Sequence, residues 1–142
     1  MSEKHTGSCF CGAVMIEVTG EPEVMGYCHC ADCSSWAGAP INAFSVWSPD
    51  AVKITAGEDK LGSFAKTKAS HRKFCTQCGG HVMSEHPEMG VIDVYLNIVP
   101  GIAHKGAFHV YYSEKTMAVP DGLPKFKDLP VEFGGSGETI KE

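Results

Sequence analysis

Apolar and polar positions group into short runs, and none of them repeats at helical spacing. Ala13-Val14-Met15-Ile16-Glu17-Val18 is rich in β-branched residues and has the length of a strand. Val24 to Tyr27 is a second short strand. Ile41 to Trp47, opened by Pro40 and closed by the turn Ser48-Pro49-Asp50, is a third. Val52 to Thr55 and Leu61 to Phe64 flank Gly57 as further short strands, His81 to Ser84 is another, and Val91 to Ile98 and Phe108 to Tyr112 complete the set. One helical turn is predicted, over Asp32 to Trp36. From about Val119 the chain is a turn-rich C-terminal tail, with Pro120, Gly122, Pro124, Pro130 and Gly134-Gly135-Ser136-Gly137. No repeat of architectural period and no second domain is visible. The pattern predicts an all-β or β-rich fold: one domain over residues 1–142, built of short antiparallel strands.

Composition narrows this picture. A chain of 142 residues suffices for one domain with a core, and its 16 glycines and 8 prolines favour many turns over long helices. A formal charge of −5 argues against a nucleic-acid partner. No run approaches the roughly 18 apolar residues of a membrane-spanning helix. Met1-Ser2-Glu3-Lys4-His5 is polar and leads into no apolar signal-peptide core. The expected location is therefore cytoplasmic, where thiols stay reduced and clustered cysteines read as metal-binding or catalytic.

The seven cysteines are the chemistry-bearing feature. Tyr27-Cys28-His29-Cys30-Ala31-Asp32-Cys33 places three thiols within six residues. The other four form two pairs, Cys9-x-Cys11-Gly12 and Cys75-x-x-Cys78-Gly79. Each pair is half of a tetrahedral zinc site, with a glycine that lets the backbone turn and present N–H groups to sulfur. Joined, Cys9, Cys11, Cys75 and Cys78 make a closed structural zinc site. Cys28, Cys30 and Cys33 then hold a second zinc with one position open, the ligand count of a catalytic site. Partitions that join Cys9 and Cys11 to two members of the triplet break up the most local cluster and orphan a cysteine. Buried reduced thiols are the bland alternative, but packing alone does not produce three tight clusters. Thiolate clusters also need N–H donors around them, because unpaired buried charge is expensive.

Three thiolates donate strongly, so the metal they hold is a poor Lewis acid and a weak activator of water. Such a site suits an exogenous thiol, held ionised near neutral pH and presented to an electrophile. The chemistry this suggests is formation or cleavage of a carbon–sulfur bond.

Cys9-x-Cys11-Gly12, then Cys28-His29-Cys30-x-x-Cys33, then Phe74-Cys75-x-x-Cys78-Gly79 resembles the glutathione-dependent formaldehyde-activating family. Ser35-Trp36-Ala37-Gly38-Ala39-Pro40 is similar to the segment C-terminal to the triplet in that family. The resemblance runs from Gly7 to about Gly101. It implies a mostly β fold with two zinc ions, the structural one on Cys9, Cys11, Cys75 and Cys78 and the catalytic one on Cys28, Cys30 and Cys33. It also implies a carbon–sulfur lyase whose reaction joins glutathione and formaldehyde as S-(hydroxymethyl)glutathione. The chain differs near Asp121-Gly122-Leu123-Pro124, where Met117-Ala118-Val119-Pro120 stands in place of a tryptophan-bearing stretch. The rival functions are a non-catalytic zinc-stabilised binding module and a thiol redox sensor. A histidine or carboxylate completing the triplet site would favour the binding module.

The remaining candidates have ordinary readings beside the functional ones. His29, between two ligands, is expected to point away from the metal, at the surface or behind the ligands. His71, His81, His86, His104 and His109 lack metalloprotease spacing and read as ordinary, with one of them available as a proton shuttle. Asp32 is a possible proton acceptor and equally a turn or N-cap residue. Trp36, Phe44 and Trp47 read as core before pocket lining. His71, Arg72 and Lys73 read as a solvated strand end before a carboxylate-binding group.

Overall fold

A computed structural model describes residues 2–142. Its elements are β1 (Lys4–Ser8), β2 (Met15–Thr19), β3 (Val24–Cys28), α1 (Ala31–Ala37), β4 (Asn42–Trp47), β5 (Val52–Ala56), β6 (Leu61–Thr67), β7 (Ser70–Cys75), β8 (His81–His86), β9 (Val91–Val94) and β10 (His109–Val110), with short 3-10 turns between them. The fold is β-rich, with two sheets and one short helix. No helix among the described residues is long and apolar enough to cross a membrane.

The chain forms two compact units, one of residues up to 23 with 45–104 and one of 24–44 with 105–142. In the first, β1, β2 and β5 make a sheet in that order, and β9, β8, β7 and β6 follow the end of β4 in another. Alternation along β2 buries Ile16 and Val18 and leaves Met15 exposed, as period-two patterning requires. Trp47, Val82, Val94 and Val99 fill the rest of this core, which settles Trp47 as packing.

Both cysteine pairs of this unit sit at hairpin tips. β1 and β2 pair antiparallel down to Ser8 opposite Met15, and Cys9 N–H donates to Val14 O across the loop (2.9 Å). At the tip between β7 and β8, Cys75 N–H donates to Gly80 O over the same five-residue span (2.9 Å). Gly12 (φ 84°) and Gly79 (φ 77°) take left-handed backbone that a Cβ would disfavour. The two cysteine pairs thus sit in one hairpin geometry used twice.

The second unit holds β10, β3 and the start of β4 in that order. The β10–β3 pair is parallel, Val110 beside Cys28. Two predicted strands are shorter than their apolar runs. Val91 to Ile98 is strand only to Val94, because Leu96–Ile98 winds into a 3-10 turn that buries Leu96. Phe108 to Tyr112 is strand only over His109–Val110, because Tyr111 takes a left-handed conformation (φ 52°) and a 3-10 turn follows. Non-glycine residues occupy that region rarely and at a cost. Beyond residue 119, a bridge joins Phe126 to Thr139 and another joins Lys125 to His109, so this stretch folds back onto β10.

One buried group of the first unit makes stability pH-dependent. Asp93 on β9 is buried, and burial pushes its carboxyl up to about 7 against the lowering effects of the Ser45 N–H (3.0 Å) and Arg72. In the unfolded chain the group titrates near the ordinary value of about 3.9. The folded state therefore binds more protons between these values, and stability is lost as pH rises from about 4 through about 7. Asp93→Asn keeps an acceptor for Ser45 without the charge. Relative to this variant, the wild type is expected to lose on the order of a few kcal/mol between pH 4 and pH 8. Denaturant unfolding of both proteins at each pH checks this, and a difference that does not vary with pH would refute it.

Candidate metal centres

The closed set comes together as its spacing predicts. The ligand atoms of Cys9, Cys11, Cys75 and Cys78 all lie within 4.8 Å of one another. Cys9 Sγ is 3.7 Å from Cys11 Sγ, which is 3.8 Å from Cys75 Sγ. Every sulfur has a donor aimed at it. The amides of Val14, Gln77 and Gly80 reach Cys9, Cys75 and Cys78 at 3.3 Å each, and the Gln77 side-chain amide reaches Cys11 at 3.4 Å. This is the N–H shell that thiolates require, so the donor set fits a divalent zinc.

The triplet forms where β3 ends and α1 begins. Cys28, buried, closes the strand. Cys30 is the N-cap of α1, its Sγ accepting the Cys33 N–H at 3.2 Å, and Cys33 lies in the first turn. The first helical amide, Ala31 N–H, donates to Glu114 Oε1 (2.9 Å). The helix ends at Gly38 in left-handed conformation, whose N–H returns to Ser34 O. It therefore runs over seven residues, longer than the single turn read from sequence. Asp32 sits in the first turn and is not the cap.

The three sulfurs also lie within 4.8 Å of one another, and no other His, Cys, Asp or Glu among the described residues brings a ligand atom into that set. Crowding pushes the Cys28 thiol far above its ordinary value, first through Cys30 and then through Cys33. Three thiols so placed cannot all ionise without a cation between them. Each cluster can hold a metal ion, and the triplet offers it three protein ligands.

From His29, between Cys28 and Cys30, runs a polar chain that spacing did not reveal, buried at His29, His109 and Lys125 and reaching the surface at Asp121. His29 is 1% exposed, which rules out the surface alternative read for it from the sequence. Its Nε2 is 2.8 Å from His109 Nδ1, and His109 Nε2 is 2.8 Å from Asp121 Oδ2. Asp121 Oδ1 accepts from Lys125 Nζ (2.7 Å) and from Leu123 N–H (3.0 Å). Lys125 and then His109 hold the Asp121 carboxyl well below the usual range. Burial, then His109, lowers His29. Tyr112, fully buried, sets its ring edge-on to both imidazoles. His109 is thus not an ordinary histidine. Tyr111 also borders the triplet: burial, then Cys28 and Cys30, raise its phenol.

Fold and site together define a β-rich protein with two thiol clusters of zinc-ligand geometry, one of four and one of three. Residues 4–114 match the family model described as "Glutathione-dependent formaldehyde-activating enzyme", and the chain belongs to that family. A protein of Pyrenophora teres f. teres that carries the same family name is 33% identical over 98 residues, covering 65% of this chain and 52% of that protein. A namesake from Talaromyces marneffei is 32% identical over 96 residues, covering 63% and 51%. The chain thus spans about half the length of these relatives. A solved Rhodobacter sphaeroides structure has a similar fold, with a TM-score of 0.58 at 21% identity over 69% of this chain and 90% of that one.

Proposed function

We propose that this protein forms or cleaves a carbon–sulfur bond between a thiol, glutathione first among them, and a small aldehyde such as formaldehyde. Cys28, Cys30 and Cys33 would hold the catalytic zinc, and Cys9, Cys11, Cys75 and Cys78 a structural zinc. The observation that carries the reading is the triplet with no fourth protein ligand among the described residues. That geometry favours an open site over a purely architectural one. The names of the relatives support the choice of substrates. Reduced thiols require a reducing compartment, so the reading goes with a cytoplasmic location.

When bound, zinc supplies a position at which a thiol is kept ionised near neutral pH. The chain's own part is placement. Cys28 anchors the set in the buried end of β3, while half-exposed Cys30 and Cys33 leave access for a small thiol. The Cys33 amide on Cys30 Sγ stabilises thiolate charge at the mouth of α1. In the reaction the thiol loses its proton, sulfur bonds to the carbonyl carbon, and the carbonyl oxygen takes up a proton. The product is a hemithioacetal and no oxidant or reductant is consumed.

Cobalt-substituted protein tests this, because the colour of a tetrahedral cobalt–thiolate site responds to its fourth ligand. Titrated glutathione is expected to shift the spectrum, with proton release, and formaldehyde is then expected to give adduct faster than it does with free glutathione. Cys33→Ser should remove both responses. Indifference of the spectrum to glutathione and to other small thiols would end the open-site reading.

A further inference from the structure

β6 is the last strand of its sheet, and no described residue pairs with its outer edge. The inner edge fixes which backbone groups point outward. Thr76 N–H donates to Lys60 O (2.8 Å), and from there Leu61 lies opposite Cys75, Gly62 opposite Phe74, Ser63 opposite Lys73 and Phe64 opposite Arg72. Hydrogen-bonded pairs alternate along an antiparallel ladder, so Gly62 and Phe64 turn their backbone toward β7 while Leu61 and Ser63 turn theirs outward. Cys75, across from Leu61, faces away from β6 in the same way and donates to Gly80 O (2.9 Å). Side chains leave the edge open too. Residues 63–69 are all exposed, and the Phe64 ring is 57% exposed.

The charge here is opposite to that of the chain. Lys60, Lys66, Lys68, Arg72 and Lys73 fall in a stretch without Asp or Glu, whereas the chain as a whole carries −5. Lys73 is answered by Glu85 (2.8 Å), and Glu58 and Asp59 lie on the 3-10 turn before Leu61. Lys66 and Lys68 stand exposed at the other end of the strand. An open edge is a template for an extended chain, and the lysines on it select which chain. A second copy paired antiparallel about Ser63 would set Lys66 of one copy opposite Lys60 of the other, like charge against like. An acidic strand meets attraction at the same positions.

We propose that β6 is a docking edge for an extended acidic segment of a partner protein, which joins the sheet as a further strand. Its backbone pairs with the outward groups of Leu61 and Ser63, its carboxylates meet Lys66 and Lys68, and an apolar side chain covers Phe64. Backbone pairing supplies affinity in this mode of recognition, and the side chains supply selectivity. The inference stands whether or not the triplet binds a thiol.

The probe is a capped peptide of alternating Glu and Val, titrated into the zinc-loaded protein. A Glu-Pro peptide of equal charge cannot pair as a strand and serves as its control, with a Lys-Val peptide as the charge control. The Glu-Val peptide is expected to bind, the controls are not, and amide exchange at Ser63 is expected to slow by about tenfold or more in the complex. Ser63→Pro deletes an amide that the β6–β7 ladder does not use, at an edge position where proline is tolerated. It should weaken binding by about tenfold or more. Lys66→Glu with Lys68→Glu alters exposed side chains only, and should exchange the preference to the Lys-Val peptide. No binding of the Glu-Val peptide at millimolar concentration overturns the proposal. So does equal binding of the Glu-Pro peptide, or binding that leaves Ser63 exchange unchanged, since either shows attraction of charge without strand addition. Two further outcomes overturn it in favour of other occupants. One is binding to phosphatidylserine vesicles with none to the peptide, which would assign the hairpin to a lipid surface. The other is a dimer of the wild type that Ser63→Pro dissociates, which would assign the edge to a second copy.

Discussion

Cys75→Ser is expected to abolish cooperative unfolding. The closed cluster joins two hairpin tips that are far apart in sequence: Cys11 and Cys75 are separated by 64 positions, with sulfurs 3.8 Å apart. Cys75 is wholly buried, and its sulfur accepts the Gln77 amide, so serine substitutes a weaker ligand where no solvent can compensate. Structural zinc contributes about 10–16 kcal/mol of apparent binding free energy, which is also folding free energy. The net stability of a domain is about 5–15 kcal/mol. Losing the metal therefore removes as much as the whole margin. Circular dichroism on heating, with zinc analysis, measures it. The variant should lack a two-state transition, and a strong chelator should bring the wild type to the same state. A cooperative transition within a few degrees of the wild type would show that the cluster is not a clamp.

The division of seven cysteines into four and three was legible in the sequence because ligand spacing is local chemistry. Cys28, Cys30 and Cys33 need only the end of one strand and one turn of helix to meet. The two pairs need one long-range contact, which the demand of zinc for four ligands implies. β2 was legible for a similar reason: alternation of Ile16 and Val18 against Met15 and Glu17 is a one-strand property. β1 was not, since Lys-His-Thr-Gly-Ser has no apolar alternation, and its pairing comes from β2. β7 reads as a basic run, Ser70-His71-Arg72-Lys73, and becomes strand by lying between β6 and β8. Least visible was the partner of His29. His109 lies 80 positions away and reaches it through a two-residue parallel pairing that no local pattern announces. The one available hint was that Cys28-His29-Cys30 alternates along a strand end, so that His29 must face away from the sulfurs and needs a partner of its own.

Cys30→Ser is expected to behave in the opposite way to Cys75→Ser. Cys30 has two separable roles. As the N-cap of α1 it accepts the Cys33 N–H, and serine is among the best residues for that position. The helix start, with Ala31 N–H on Glu114, should therefore survive. In the function proposed above Cys30 is also one of three metal ligands, a role that an uncharged hydroxyl does not fill, and with two thiolates left the second site should not retain zinc. The expected protein unfolds cooperatively within about 5 °C of the wild type. On the proposed function it carries one zinc instead of two, gives no cobalt response to glutathione, and loses adduct-forming activity by more than about 100-fold. Zinc content, thermal unfolding and turnover measured on one preparation separate the roles. If Cys30→Ser unfolds as Cys75→Ser does, both clusters are structural and the open site has no special standing. If it keeps two zinc ions, the triplet has a ligand beyond its three cysteines, and the position kept for a substrate thiol is taken by the protein itself.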